Sequence, residues 1–192
     1  MRRWVILGIL MAAGCGGKAQ RTSEPGQEET PRPAATKPRH DYQGWQEYAP
    51  SDARFRIHFP AAPQFKPPSP ATGNMYVVGV TPRADDELEY LCHWKLRDQP
   101  FGSREADEAY LNAQQLGAVN SSGGKLLEEE AISADGFPGR RFIIETAHRG
   151  ILHNRSFVAG KRIVTLQVWG KTAAAVKSSQ AVKFFDSLTI SP

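Results

Sequence analysis

The sequence predicts an α+β domain: a largely antiparallel, twisted sheet of about six or seven strands packed against two main helices. Three observations predict it. From Leu88 to Leu96 runs the chain's clearest alternation of apolar and polar residues, the period of a half-buried strand. Several strand-like runs follow one another across short turns such as Gly160-Lys161, and hairpins make antiparallel neighbours. Only two segments carry helical spacing, one mid-chain and one near the end.

The elements follow in order. Phe55, Ile57 and Phe59 share one face of a first strand, Arg56 and His58 share the other, and Pro60 ends it. A second strand is expected near Met75–Val80. The third is the alternating run, with Leu88, Tyr90, Cys92, Trp94 and Leu96 inward and Glu89, His93, Lys95 and Arg97 outward. Ser103 is placed to cap a helix whose first turn carries Glu105, Asp107 and Glu108, suited to the positive helix end. Its expected packing face is Ala106, Tyr110, Ala113 and Gly117, and the turn residues Asn120–Gly124 stop it. Strands are then expected around Leu126–Ile132 and over Phe142, Ile144 and Thr146, separated by a type II turn at Gly136-Phe-Pro-Gly139. Two more, about Leu152–Ala159 and Arg162–Trp169, meet at Gly160-Lys161. A final helix from about Thr172 puts Ala174, Ser178, Ala181, Phe185 and Leu188 on the sheet.

The chain ahead of this domain has another character. Residues 1–14 read as an export leader: Arg2 and Arg3, then an apolar stretch from Trp4 to Ala13, then small residues before Cys15. A helix of roughly ten residues covers about 15 Å, whereas a lasting bilayer span takes about 20 residues. From Gly16 to about Tyr42, polar residues, alanine and prolines (Pro25, Pro31, Pro33, Pro38) dominate, too few apolar groups to offset ordering entropy. Residues 15–42 are therefore expected to be a disordered tether reaching ~30 Å on average, and residues 43–192 a single domain.

Charge and cysteine content narrow the classes. Lys and Arg number 24 against 20 Asp and Glu; without Arg2 and Arg3 the basic count is 22 and the net charge falls from +4 to +2. Such a mild surplus, with no clustered basic stripe, argues against nucleic acid. Of the two cysteines only Cys92 lies in the domain, so no internal disulfide framework is available.

The leader resembles the lipobox of bacterial lipoproteins. That resemblance implies that the Cys15 thiol takes a diacylglyceryl group and becomes the new N-terminus, with acyl chains such as palmitate holding the protein to a membrane of the cell envelope. Gly16, where aspartate is associated with inner-membrane retention, then favours the outer membrane. Ala12 departs from the usual leucine. The other reading is an ordinary leader cut at an Ala-x-Ala-like site. The domain, through Trp45, Phe55-Arg-Ile-His-Phe59-Pro60, the mid-domain helix, Gly136-Phe-Pro-Gly139-Arg140 and Phe184-Phe-Asp-Ser-Leu188, resembles the PsbP-like superfamily, which includes photosystem II extrinsic proteins, a eukaryotic nuclear-import factor and DcrB-type bacterial lipoproteins. It implies a central antiparallel sheet between helices and a non-enzymatic role in binding or assembly, with an envelope protein or glycan as partner. No site residue is carried over from it.

The residues themselves offer no catalytic, cofactor or metal motif. Trp169-Gly-Lys-Thr172 precedes a helix as a P-loop does, but the glycine five places before Gly170 is Thr165, so no phosphate cradle forms. Cys92 and His93 are adjacent on a strand and point to opposite faces, which makes Cys92 a buried thiol rather than a ligand. His148 and His153, flanking Arg149-Gly150, with His58 or His93, make a surface zinc site the alternative, and an envelope hydrolase or metal-dependent enzyme the alternative function. Glu128-Glu129-Glu130 and Asp85-Asp86-Glu87 lack calcium-loop spacing. Arg54, Arg56, His58, Lys95, Arg97, Arg140, Arg155 and Arg162 are candidates for a diffuse basic face toward anionic headgroups or glycans, and otherwise a solvated charged surface.

Overall fold

Alternating burial along the strands builds the frame. In a computed structural model that describes residues 40–69, 75–81 and 87–192, ten strands appear: β1 Gln46–Tyr48, β2 Phe55–Phe59, β3 Gln64–Lys66, β4 Tyr76–Val80, β5 Leu88–Leu96, β6 Lys125–Ala134, β7 Phe137–Thr146, β8 Gly150–Ala159, β9 Arg162–Gly170 and β10 Thr189–Ile190. The helices are α1 Arg104–Ser122 and α2 Ser179–Asp186, with one 3₁₀ turn at Ala175–Lys177. The leader, Cys15 and most of the expected tether lie outside the described residues.

Seven strands form one sheet in the order β3-β4-β5-β9-β8-β7-β6, each antiparallel to its neighbours. A small sheet, β1-β2-β10, is also antiparallel. The inward residues of β2 and β5 behave as their alternation requires: Phe55, Ile57, Phe59, Tyr90, Cys92 and Trp94 are buried in the main core. That core also holds Phe184, Phe185 and Leu188 of the α2 region, so the small sheet and α2 cover one face of the large sheet. Helix α1 covers the other, over a smaller core of Phe142, Ile144 and Leu152 with Ala118, Val119 and Leu126 against it.

The expected α+β class and both main helices are present; several details differ. Ser103 caps α1 through the Ala106 amide, as expected; the helix runs on through Asn120–Ser122 of the expected turn, and Gly123 ends it in the left-handed region. Its buried residues are Leu111 and Gln115, while Ala113 and Gly117 of the expected face are exposed. Small residues misplace the stripe because the helix packs across a polar layer. His93, Thr165, Ser156 and Arg140 are cross-strand neighbours in one row over β5, β9, β8 and β7. Gln114 Nε2 donates to Thr165 Oγ1 at 3.1 Å, and Arg140 Nη1 donates to Gln115 Oε1 at 3.1 Å. Helix α1 therefore meets the sheet through hydrogen bonds as much as through apolar contact. The outward side of β5 is accordingly not all solvent: His93 lies under this layer with its Nε2 buried and no partner found for it among the described residues.

The expected type II turn is not there. Asp135 and Gly136, both at positive φ (50° and 84°), close the β6–β7 hairpin, and Ala134 pairs with Phe137. This is the Asp-Gly pair that matches the twist of two joined strands. Pro138 and Gly139 belong to β7, where pairing with β8 begins only at Gly139, so the proline's missing N–H removes no bond to β8. A Cβ on Gly139 would stand 2.5 Å from the Phe157 ring, which is why glycine fits there. The last helix is shorter than expected. It starts at Ser179 with Ser178 as its cap, Ala174 is exposed, and Thr172 Oγ1 instead accepts the Ala175 amide ahead of the 3₁₀ turn.

Candidate functional site: a charged cleft beside helix α2

Side chains of β6, β7 and β8 that face α2 converge at one end of the sheet. A bulge between Leu126 and Glu128 sets the phase of β6, so that Glu128 and Glu130 face α2 while Glu129 faces α1. The acidic run, expected as strand or turn surface, thus divides between two arginines. Arg141 Nη2 donates to Glu128 at 2.8 Å and its Nη1 lies 3.5 Å from Glu130, whereas Arg140 Nη1 donates to Glu129 at 3.1 Å on the far face. Lys177, after the 3₁₀ turn's valine, also contacts Glu128. These cations hold the Glu128 carboxyl below the usual carboxylate range, the Lys177 bond most and the Arg141 bond next.

His153 sits at the bottom, 2% exposed. Its Nδ1 is 2.9 Å from the Val176 carbonyl, and Arg141 Nε lies 3.1 Å from its Nε2. Since an arginine donates only, Nε2 accepts and Nδ1–H donates, which fixes a neutral tautomer. Burial pushes its pKa down to about 4, against the pull of the Val176 carbonyl, and Arg155 and Arg141 add to the lowering. Both nitrogens are committed, so the ring is a structural relay between strand and turn. Arg155 stacks its guanidinium 4.6 Å from the Phe185 ring and donates to Asp186 at 3.1 Å. The other Asp186 oxygen meets His40 Nε2 at 3.1 Å. His40 and Tyr42, at the end of the stretch read as tether, therefore pack against the domain, Tyr42 stacking on His58 at 4.4 Å.

The result is a cleft of about 420 Å³. Ile132, Phe157, Val182, Phe185 and Leu188 give it an apolar floor, and Arg141, Arg155, Lys177, Glu130 and Asp186 a charged rim. A larger hollow of about 800 Å³, near Pro60, Leu88 and Gln180, has Glu87 as its one charged lining residue among the described residues. Charge and apolar surface concentrate in the smaller cleft, which is the better candidate for recognition.

The residues singled out in the sequence are not gathered. His58 lies on the small sheet, His93 under α1, His153 on the α2 face, and His148 is exposed in the β7–β8 turn. Among the described residues no three histidine, cysteine or carboxylate groups are placed to hold a metal ion. The supposed basic face is dispersed as well: Arg140 is bound under α1, Arg155 lies in the cleft, and Arg162 donates to the Ala53 and Arg54 carbonyls. Cys92 lies in the main core, opposite His93, and burial pushes its thiol pKa up. In a Cys15→Ser chain, Cys92 is expected to resist alkylation by iodoacetamide until denaturant is added; full labelling of the native protein within minutes would contradict its burial. The cleft itself escaped sequence reasoning because its parts, from Glu128 to Asp186, share no motif spacing; only strand register joins them.

Among solved structures, the chain is similar to cyanobacterial PsbP (CyanoP) from Synechocystis sp. PCC 6803, with a TM-score of 0.58 over 77% of this chain and 92% of that one. The fold is PsbP-like. The likeness comes with 9% sequence identity, so it describes the arrangement of the chain and not what its cleft holds. A second similar structure is that of PA94 from Pseudomonas aeruginosa, a protein of unknown function, 14% identical over 69% of this chain and 86% of that one, with a TM-score of 0.40. The sequence matches no protein-family profile, and comparison with curated proteins found no relative. The PsbP-like fold agrees with the expectation of an antiparallel sheet between helical layers, and here the small sheet β1-β2-β10 shares one layer with α2.

Proposed function

We propose that this chain is a lipid-anchored protein of the bacterial cell envelope, attached through Cys15, whose PsbP-like domain is a non-catalytic binding or assembly module for a protein or cell-wall partner. The observation that carries the reading is the run from Met1 to Cys15: paired arginines, a short apolar stretch and small residues ahead of a cysteine. Two acyl chains or more turn marginal membrane binding into lasting attachment. Among the described residues no helix is long and apolar enough to cross a membrane, so in this reading attachment falls to the lipid. Gly16 after the cysteine favours the outer membrane. The polar, proline-rich residues 16–39 give the domain room to stand off the surface, and the cleft beside α2 supplies a mixed apolar and charged surface for a partner.

Replacing Cys15 by serine tests the anchor. The wild-type protein is expected in the membrane fraction, resistant to high salt and released by detergent, while Cys15→Ser loses that processing and its detergent-dependent release. Equal recovery of both chains in the soluble fraction would sink the proposal.

A further inference from the structure

The two edges of the large sheet differ. Strand β3, at one edge, has three residues, whereas β6, at the other, has ten and, among the described residues, pairs only with β7. Long exposed edges are a liability that proteins shorten, cover or bulge, because their unpaired backbone groups accept another strand. Here the bulge lies at the start of β6, and from Glu128 to Ala134 the register is unbroken. With the Asp135-Gly136 turn closing Ala134 onto Phe137, alternation of the antiparallel ladder directs the backbone N–H and C=O of Glu129, Ala131 and Ser133 away from β7. Ala131 is exposed and small, which leaves the edge open to close approach.

We propose that β6 is a docking edge that accepts an extended segment of a partner protein as an added strand, with basic residues of that segment against Glu128–Glu130 and an apolar side chain in the cleft beside α2. The proposal rests on reading the domain as a binding module but not on its lipid anchor. Glu130, Ile132, Ser133 and Ala134 form one wall of the cleft, so side chains on the α2 face of an added strand would stand at its mouth. Charge chooses the occupant. The Glu129 and Glu130 side chains are 52% and 61% exposed, while Arg140 and Arg141 behind them are 21% and 20% exposed. The outermost charge is therefore negative, and the ion pair of Glu130 among the described residues is the 3.5 Å contact with Arg141. A cationic strand fits this rim. A second copy does not, because it would bring another run of three glutamates to the same short ladder. Main-chain bonds would supply affinity, and the pockets for alternate side chains specificity.

The probe is a synthetic ten-residue peptide alternating lysine with valine or leucine, added to the isotope-labelled full chain carrying Cys15→Ser, with a glutamate-for-lysine peptide as control. Amide exchange at Glu129, Ala131 and Ser133 is expected to slow at least about tenfold with the lysine peptide only. Ala131→Pro removes an outward N–H and leaves the bonds to β7, so the fold should persist while binding falls at least about tenfold. Should that variant fail to fold, Glu129→Lys with Glu130→Lys, which leaves the backbone untouched, is expected to reverse the preference toward the glutamate peptide. Four results would overturn the proposal: no binding of the lysine peptide; binding undiminished in a folded Ala131→Pro chain; these amides already protected in the peptide-free monomer; or a dimer that protects them. Binding that perturbs Phe185 and Arg155 without protecting β6 removes the edge and leaves the module reading standing, whereas failure of membrane attachment removes the anchor and leaves the edge.

Discussion

Lowering the pH from about 7.5 to about 5 is expected to remove about 4 kcal/mol of folding stability, much of what a domain usually has. Two buried histidines are the cause. Burial pushes the pKa values of His93 and His153 down to about 4 from the ordinary 6.5. Above about pH 6.5 both are neutral folded or unfolded, and the stability is fully present. As the pH falls from there toward about 4, the unfolded chain takes up protons that the folded chain refuses, and each histidine costs up to about 1.4 kcal/mol per pH unit. Urea unfolding across this range measures it. His93→Leu, which replaces a ring whose Nε2 has no partner found, should remove about half of the slope. A flat profile between pH 7.5 and 5 in the wild-type chain would contradict the burial of both rings.

Trp94→Ala is expected to cost about 3–5 kcal/mol. Trp94 is 2% exposed and joins the two sheets. Its ring stacks on Tyr76 of β4 at 5.0 Å and 9°, meets Phe55 of β2 edge-on at 5.5 Å, and lies 5.9 Å from Tyr48 of β1. Alanine leaves a cavity bounded by three strands that cannot all collapse into it. Trp94→Phe should cost much less, about 1–2 kcal/mol, because an aromatic contact is retained and the indole Nε1 is buried with no partner found for it among the described residues. Equilibrium unfolding of the two variants checks the pair. A loss below about 1 kcal/mol for alanine would mean that the aromatic cluster does not tie the small sheet to the large one.

What could be read in advance followed local physics. The alternation of β2 and β5 holds residue by residue until Leu96, which is 40% exposed, and Ser103, Gly123 and Gly160 mark helix and hairpin ends by their backbone chemistry. Where two turn signals lie side by side, strand pairing decides between them. Gly136-Phe-Pro-Gly139 looks like a turn, and the Asp135-Gly136 pair beside it is the turn. In β8 alternation gives no guide, because seven residues in the run Ile151–Phe157 are all but one buried with both faces covered. His153, placed near the surface by sequence proximity to the Arg149-Gly150 turn, therefore lies inside. The packing stripe of α1 differs from the expected one because Gln114 and Gln115 pack by hydrogen bonds that no apolar pattern announces. The cleft depended on the bulge in β6 and on pairing across β6, β7 and β8, which is tertiary information.

The lipid anchor links every part of the functional reading, from leader to tether to domain, and the intact mass of the protein isolated from cell membranes tests it most directly. The expected result is a chain that begins at Cys15, lacks residues 1–14 and carries a diacylglyceryl group with a further acyl chain on the new N-terminus. A chain that still begins at Met1, or one that carries an unmodified Cys15 thiol, would contradict it.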